Sequence, residues 1–227
     1  MSVALSKLKE VIPQVREYVL QRVAEFERLS KEEITHFDFR PFLDIDYDAG
    51  LFSELCFCLL TANSSASMGI RIQAKLGDEG FMKASEKELT DVFRSHGHRF
   101  PEQRAQRIVE VRQRWEEIRE LINSGREWKE VRSLLAEPKS PFKIKGFGYK
   151  EASHFLRNIG AKDLAIVDRH IYRFLTENGL FPSVKTLTPK RYLEAERVLE
   201  ELCKELKITQ AELDLYIFYI KTRRVLK

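Results

Sequence analysis

Helix punctuation recurs along almost the whole chain and leaves little room for any other secondary structure. Ser85 stands three residues before Glu88, and Thr209 three before Glu212. In such pairs a hydroxyl and a carboxylate reciprocally satisfy the free amides of a helix start. Thr188 precedes Pro189, which suits the first helical position because its missing N–H would have had no partner there. Gly97, Gly125 and Gly160 follow amphipathic runs as stops. Between these marks apolar residues recur at helical spacing, as in Leu89, Val92 and Phe93, and again in Ala152, Phe155, Leu156 and Ile159. Helices are predicted over 4–28 with an interruption at Pro13, over 49–61, from Ser64 or Ser65 to near Gly77, over 85–97, from Pro101 to Ser124, and over 127–136, 149–159, 168–178, 189–206 and 209–222. Ser30 and Glu33 form a further predicted capping box. The stretch THFDFRPFLDIDYDAG alternates apolar and polar residues around Pro41, and fits an extended strand-like segment or an irregular loop. The predicted class is all-α, with about ten helices.

Of the 227 residues 43% are apolar, enough for a core in one large domain or two small ones. Charged residues make up 33%, as in a well-solvated helical surface, and the net charge of +4 permits a polyanionic partner without demanding one. Three cysteines and no C-x2-C pair suggest a reducing compartment and no cysteine-held cluster or zinc. His96 and His98 form an H-x-H without further ligands nearby, so no metal site is expected. The start MSVALSKLKE lacks a signal-peptide core, and no apolar run approaches the ~18 residues of a membrane span. A cytoplasmic chain away from membranes is the expectation.

One stretch stands apart: KIKGFGYKEASHFLRN, residues 143–158. Two helical patterns flank a turn with Gly146 and Gly148, a helix–hairpin–helix. Glycine there permits positive φ and leaves amides uncovered. Amides at a helix start attract phosphate, because the dipole and the unpaired N–H groups point the same way. Lys143 and Lys145 add charge for the same backbone, a sequence-independent grip. An ordinary helix corner with glycine stops fits the G-x-G alone. Lys150 begins the second helix, where the field of the helix end favours the neutral, nucleophilic amine; a phosphate-contacting lysine is the plainer alternative. Eighteen residues on, Asp168 precedes an amphipathic run and suits an N-cap. A carboxylate so capped is well placed to stabilise a developing cation.

The run IKGFGYKEASHFLRNIGAKDLAIVDRHI resembles the helix–hairpin–helix DNA glycosylase superfamily, with its hairpin, lysine and downstream aspartate. LCFCLLTANSSAS resembles the superfamily helix that ends in a DNA-probing loop, and the tail ELDLYIFYIKTRRVLK resembles the type-two 8-oxoguanine DNA glycosylase/AP lyases. Endonuclease III relatives share the hairpin but carry a four-cysteine tail that this sequence lacks. The resemblance implies a two-lobed fold, with 50–160 as a helical lobe ending in the hairpin, 1–49 plus 161–227 as the second, and the active cleft between them. It implies a monomer acting on duplex DNA containing 8-oxoguanine, and no membrane.

What the resemblance implies for chemistry is specific. The target nucleotide is flipped out, Lys150 attacks the sugar, and Asp168 supports the charge that builds. An amine nucleophile leaves a Schiff base, and so a combined glycosylase and lyase. Lys227 is implied to separate 8-oxoguanine from guanine through a carboxylate acceptor and an ammonium donor. Phe218, where this branch commonly has tryptophan, is implied as a stacking partner. Asn63, Arg99 and Phe100 are the expected wedge residues that contact the vacated duplex, and Arg104 and Arg107 sit where they can reach phosphate. No cofactor is required by the resemblance, although hairpin carbonyls of 144–149 are placed to hold K+ or Na+. Two other activities share these features: excision of another oxidised base, and DNA binding by the hairpin without catalysis.

Overall fold

Every side chain of the helix Leu51–Thr61 is buried, and the rest of the molecule is arranged around it. A helix this apolar on all sides has no solvent face and needs partners on each. In the computed structural model, which describes residues 2–227, eleven helices and one two-stranded sheet supply them. In chain order these are α1 (Ser2–Glu32), β1 (Ile34–Asp38), β2 (Asp46–Gly50), α2 (Leu51–Thr61), α3 (Ala66–Lys83), α4 (Glu86–Ser95), α5 (Pro101–Arg112), α6 (Trp115–Ile122), α7 (Trp128–Ala136), α8 (Tyr149–Asn158), α9 (Arg169–Glu177), α10 (Pro189–Leu206) and α11 (Gln210–Thr222).

The predicted all-α class holds, with one addition. Residues 34–50 form an antiparallel hairpin in which Ile34 pairs with Gly50 and Asp38 with Asp46. Its inward residues Phe37 and Ala49, with Phe39 just beyond, are buried, which explains the alternation in the sequence. Other differences follow from context. α1 runs straight through Pro13, whose ring lies on the solvent face while Leu8, Val11, Val15 and Val19 are buried. Water can satisfy the carbonyl that proline leaves unpaired there. The predicted box at Ser30 and Glu33 does not form. α1 continues to Glu32, and Glu33 turns to left-handed φ and binds Arg119 with both carboxylate oxygens. α3 passes its predicted end by kinking at Gly77, where φ is +58°. The single helix predicted from Pro101 to Ser124 is broken into α5 and α6 at Gln113–Arg114.

The other caps read from sequence are present. Ser85, Thr188 and Thr209 accept from amides of the first turns of α4, α10 and α11. Among the described residues no helix is long and apolar enough to cross a membrane.

α2 and α3 pack closely because Gly69 has no side chain. A Cβ there would lie 2.9 Å from both Phe57 and Thr61. Gly69→Ala is therefore predicted to lower unfolding stability by about 1–3 kcal/mol through overpacking, measured by urea denaturation. An unchanged midpoint would show that the two helices separate at no cost.

Candidate active site

Two adjoining cavities, of about 310 and 730 Å³, form one cleft. Lys150, Asp168 and Arg169 line both, facing Thr61, Ser64 and Ser65 of the α2–α3 loop. The two residues singled out for chemistry thus meet at one place. Lys150 is the second residue of α8, with a side chain only 25% exposed and the Glu151 carboxylate 3.7 Å from its Nζ. Asp168 caps α9: its Oδ1 accepts from the amides of His170 at 2.7 Å and Ile171 at 2.9 Å. The segment before it is fixed by Tyr192, whose hydroxyl donates to the Ala165 carbonyl and accepts from the Val167 amide. The interval from Lys150 to Asp168 in the sequence is therefore converted to proximity by α8, a return loop and one tyrosine on α10.

The hairpin departs from expectation in detail. Gly146 has φ +99°, and a Cβ there would lie 2.8 Å from Nη1 of Arg107. Gly148 is extended, not left-handed, so only Gly146 needs glycine for its backbone. The Gly148 amide is not free either: it donates to Glu151 at 3.1 Å. By helix geometry the first-turn amides of Tyr149 and Lys150 have no partner within α8, and they are the donors left open at this helix start. Lys145 is exposed but pairs with Glu110 at 2.9 Å. Lys143 does not point outward; its ammonium donates to the carbonyls of Ala136, at 2.6 Å, and Phe147.

Lys227 lines the smaller cavity, but its ammonium is not available to a ligand. The side chain is fully buried, and Nζ donates to Glu54 at 2.5 Å and Gln73 at 2.6 Å. It lies 4.0 Å from the ring centre of Phe37 and 4.3 Å from that of Phe57, a cation between aromatic faces. Burial pulls its pKa down to about 8, with Glu54 opposing. The expected ammonium donor is thus a structural anchor, and the main chain of Lys227 is what faces the cleft. Phe218 lines the same cavity, edge-on to His170 at 5.3 Å.

Asn63 and Arg99 line the larger cavity, and Phe100 is 39% exposed beside Arg99. Asn63 has φ +62°, at the tip of the turn that ends α2. Two side chains hold these loops together. Arg104 is buried and donates to the Ala62 carbonyl at 2.7 Å, so it positions the turn and does not reach phosphate. His98 donates from Nε2 to the Leu60 carbonyl at 2.9 Å and accepts the Phe100 amide on Nδ1, and burial lowers its pKa in spite of the Leu60 bond.

Sequence reasoning missed the buried polar network behind the cleft. Glu54 accepts from Lys227, Gln73 and Asn158. Arg157 donates to Asp214 at 2.9 Å and stacks over Phe26. Burial pushes the Asp214 carboxyl up to about 7 in spite of Arg157. His154 is buried against Phe57 and close to the Lys227 main chain, without a well-aligned hydrogen bond at either ring nitrogen, and burial holds its pKa well below the ordinary histidine value. The available signal was a glutamate inside the otherwise apolar run LFSELCFCLL.

Comparison with known proteins agrees with this geometry. Residues 19–208 match the family model described as 8-oxoguanine DNA glycosylase. The chain is 65% identical over 224 residues to a protein of Aquifex aeolicus named 8-oxoguanine DNA glycosylase/AP lyase, covering 99% of each. A protein of the same name from Methanocaldococcus jannaschii is 47% identical over 177 residues, covering 78% of this chain and 82% of the relative. The crystal structure of the M. jannaschii glycosylase/lyase in complex with a 15mer DNA containing 8-oxoguanine superposes with a TM-score of 0.84, at 38% identity and full coverage of both chains. The 8-oxoguanine DNA glycosylase of Thermotoga maritima gives 0.84 at 35% identity, again with full coverage.

Two outcomes follow from the network. Glu54→Ala strands the Lys227 ammonium in an aromatic cage and is predicted to destabilise the fold by about 3–5 kcal/mol, read by chemical denaturation; a loss no greater than that of a surface substitution would refute the anchor. His154 titrates near its ordinary value when unfolded and well below it when folded. The unfolded state therefore binds more protons below about pH 6.5, and stability falls with acidity there by up to ~1.4 kcal/mol per pH unit. Denaturation midpoints of His154→Gln against the parent should show a shallower acid slope in the variant.

Proposed function

The chain belongs to the 8-oxoguanine DNA glycosylase family, and on that premise we propose that it excises 8-oxoguanine from duplex DNA through Lys150 and then cleaves the strand as an AP lyase. The observation that carries this is the meeting of Lys150, Asp168 and the main chain of Lys227 around a cavity of about 310 Å³, of the size that takes a small ligand. The flipped nucleotide enters between the α2–α3 loop and α9. Once its amine has given up a proton, Lys150 attacks C1′ while the glycosidic bond breaks, the bond's electron pair leaving with the base, which takes up a proton. Asp168 faces the sugar and stabilises the positive charge that develops as the base departs. Loss of the amine proton and ring opening give a Schiff base. Removal of a C2′ proton then expels the 3′ phosphate oxygen by β-elimination.

Base discrimination falls to Lys227 through its main-chain oxygen atoms, since its ammonium is committed to Glu54 and Gln73. An oxygen acceptor there rewards the N7–H of 8-oxoguanine and faces a lone pair in guanine. Phe218 stacks on the base. Asn63, Arg99 and Phe100 enter the gap in the duplex. Residues 50–160 and 1–49 plus 161–227 act as two lobes on either side of the cleft. The protein works as a monomer in the cytoplasm, at the DNA.

Borohydride trapping on a duplex with one 8-oxoguanine tests the whole scheme. A covalent adduct is expected with the lesion and not with guanine, lost entirely in Lys150→Ala and slowed by about 10²–10³-fold in Asp168→Asn. An adduct formed only with an oxidised pyrimidine would assign a different base to the same machinery. Tight duplex binding with no adduct on any lesion or abasic site would leave a binding module and no enzyme.

A further inference from the structure

α7 ends at Ala136, and α8 begins just after Gly148. The last carbonyls of a helix lack intrahelical partners and carry the negative end of its dipole. Two neighbours of Ala136 are accounted for: the Leu135 carbonyl accepts from Ile144, and the Ser133 carbonyl from Glu137. The Ala136 carbonyl instead meets the ammonium of Lys143, which reaches across to the Phe147 carbonyl in the turn. Two main-chain oxygens therefore converge on one half-buried positive charge, within the turn whose carbonyls would otherwise cradle a free K+ or Na+.

The peptide joining Phe147 and Gly148 makes this arrangement consequential. In a trans peptide the C=O and N–H point in opposite directions. Here Lys143 holds the oxygen, and the Glu151 carboxylate holds the hydrogen of Gly148. One peptide plane is thus pinned between opposite charges, directly before the first turn of α8 that bears Lys150. Burial lowers the pKa of Lys143 and Glu151 raises it, so the carboxylate helps keep the ammonium charged. A free monovalent cation does not fit beside it. The Phe147 oxygen already meets one ammonium, and a second positive charge beside it would repel the first.

We propose that Lys143 is the hairpin's own monovalent cation, so that this chain grips the DNA backbone without binding K+ or Na+. The inference rests on the proposed phosphate-binding role of the hairpin. It assigns Lys143 as a positioning residue, acting through the Phe147–Gly148 peptide, and not as a direct phosphate contact.

Fluorescence anisotropy with a duplex carrying a tetrahydrofuran abasic analogue tests it, in KCl and in choline chloride of equal ionic strength. Choline is too large to enter between carbonyls. Wild-type affinity should agree between the two salts within about twofold. Lys143→Met empties the position, and should bind about tenfold more weakly in choline chloride and recover in KCl. If that variant does not fold by circular dichroism, Lys143→Gln, which keeps a neutral donor, should show the same split. Wild-type affinity that falls about fivefold or more in choline overturns the proposal, because an external cation is then required. Folded variants that bind equally in both salts overturn it as well. Absence of wild-type binding in every salt would reject the DNA-binding hairpin itself, a failure distinct from cation dependence.

Discussion

One buried ion pair joins α2 to the final residue, 173 positions on. Lys227 meets Glu54 of α2 at 2.5 Å inside a cage made by Phe37 and Phe57. Taking both charges out of water is costly unless each is fully partnered. Gln73 and Asn158 meet that demand by donating to the same carboxylate. The β-hairpin supplies an aromatic face, α2 and α3 the anion and amide, and α8 a second amide. The pair also holds the final residue rigidly at the wall of the cleft, where a frayed tail would otherwise lie.

The chemistry of the cleft uses groups that first serve the backbone. Asp168 is an N-cap, and its two capping bonds orient its carboxylate before any substrate arrives. Glu151 ties down the Gly148 amide and stands beside Lys150. Arg104 and His98, which do not themselves line the cleft, tie the turn bearing Asn63 to the loop bearing Arg99. Preorganisation of this kind keeps reactive groups in place without cost at the moment of reaction.

Much of this was legible locally. Caps, helix spacing, the glycine turn and the interval from Lys150 to Asp168 are short-range features, and each maps to a physical rule that acts within one or two turns. The misreadings share a cause. Pro13 was tolerated because its face is wet, the predicted helix after Pro101 broke at Gln113–Arg114, and Glu33 left its box for Arg119. Lys143 and Arg104, placed by the sequence where they can reach phosphate, instead satisfy main-chain carbonyls. None of these partners is visible from the neighbouring residues.

By itself the sequence determined an all-α class, a helix–hairpin–helix, and a lysine–aspartate pair at a diagnostic interval, because local hydrogen-bonding and apolar periodicity dictate those. Tertiary structure alone decided which charges face solvent and which are consumed inside. Whether an ammonium meets phosphate, carboxylate or carbonyl depends on residues up to 173 positions away, as Lys227 and Glu54 are. Burial then fixes the outcome, since a charge withdrawn from water keeps whatever partner the fold provides.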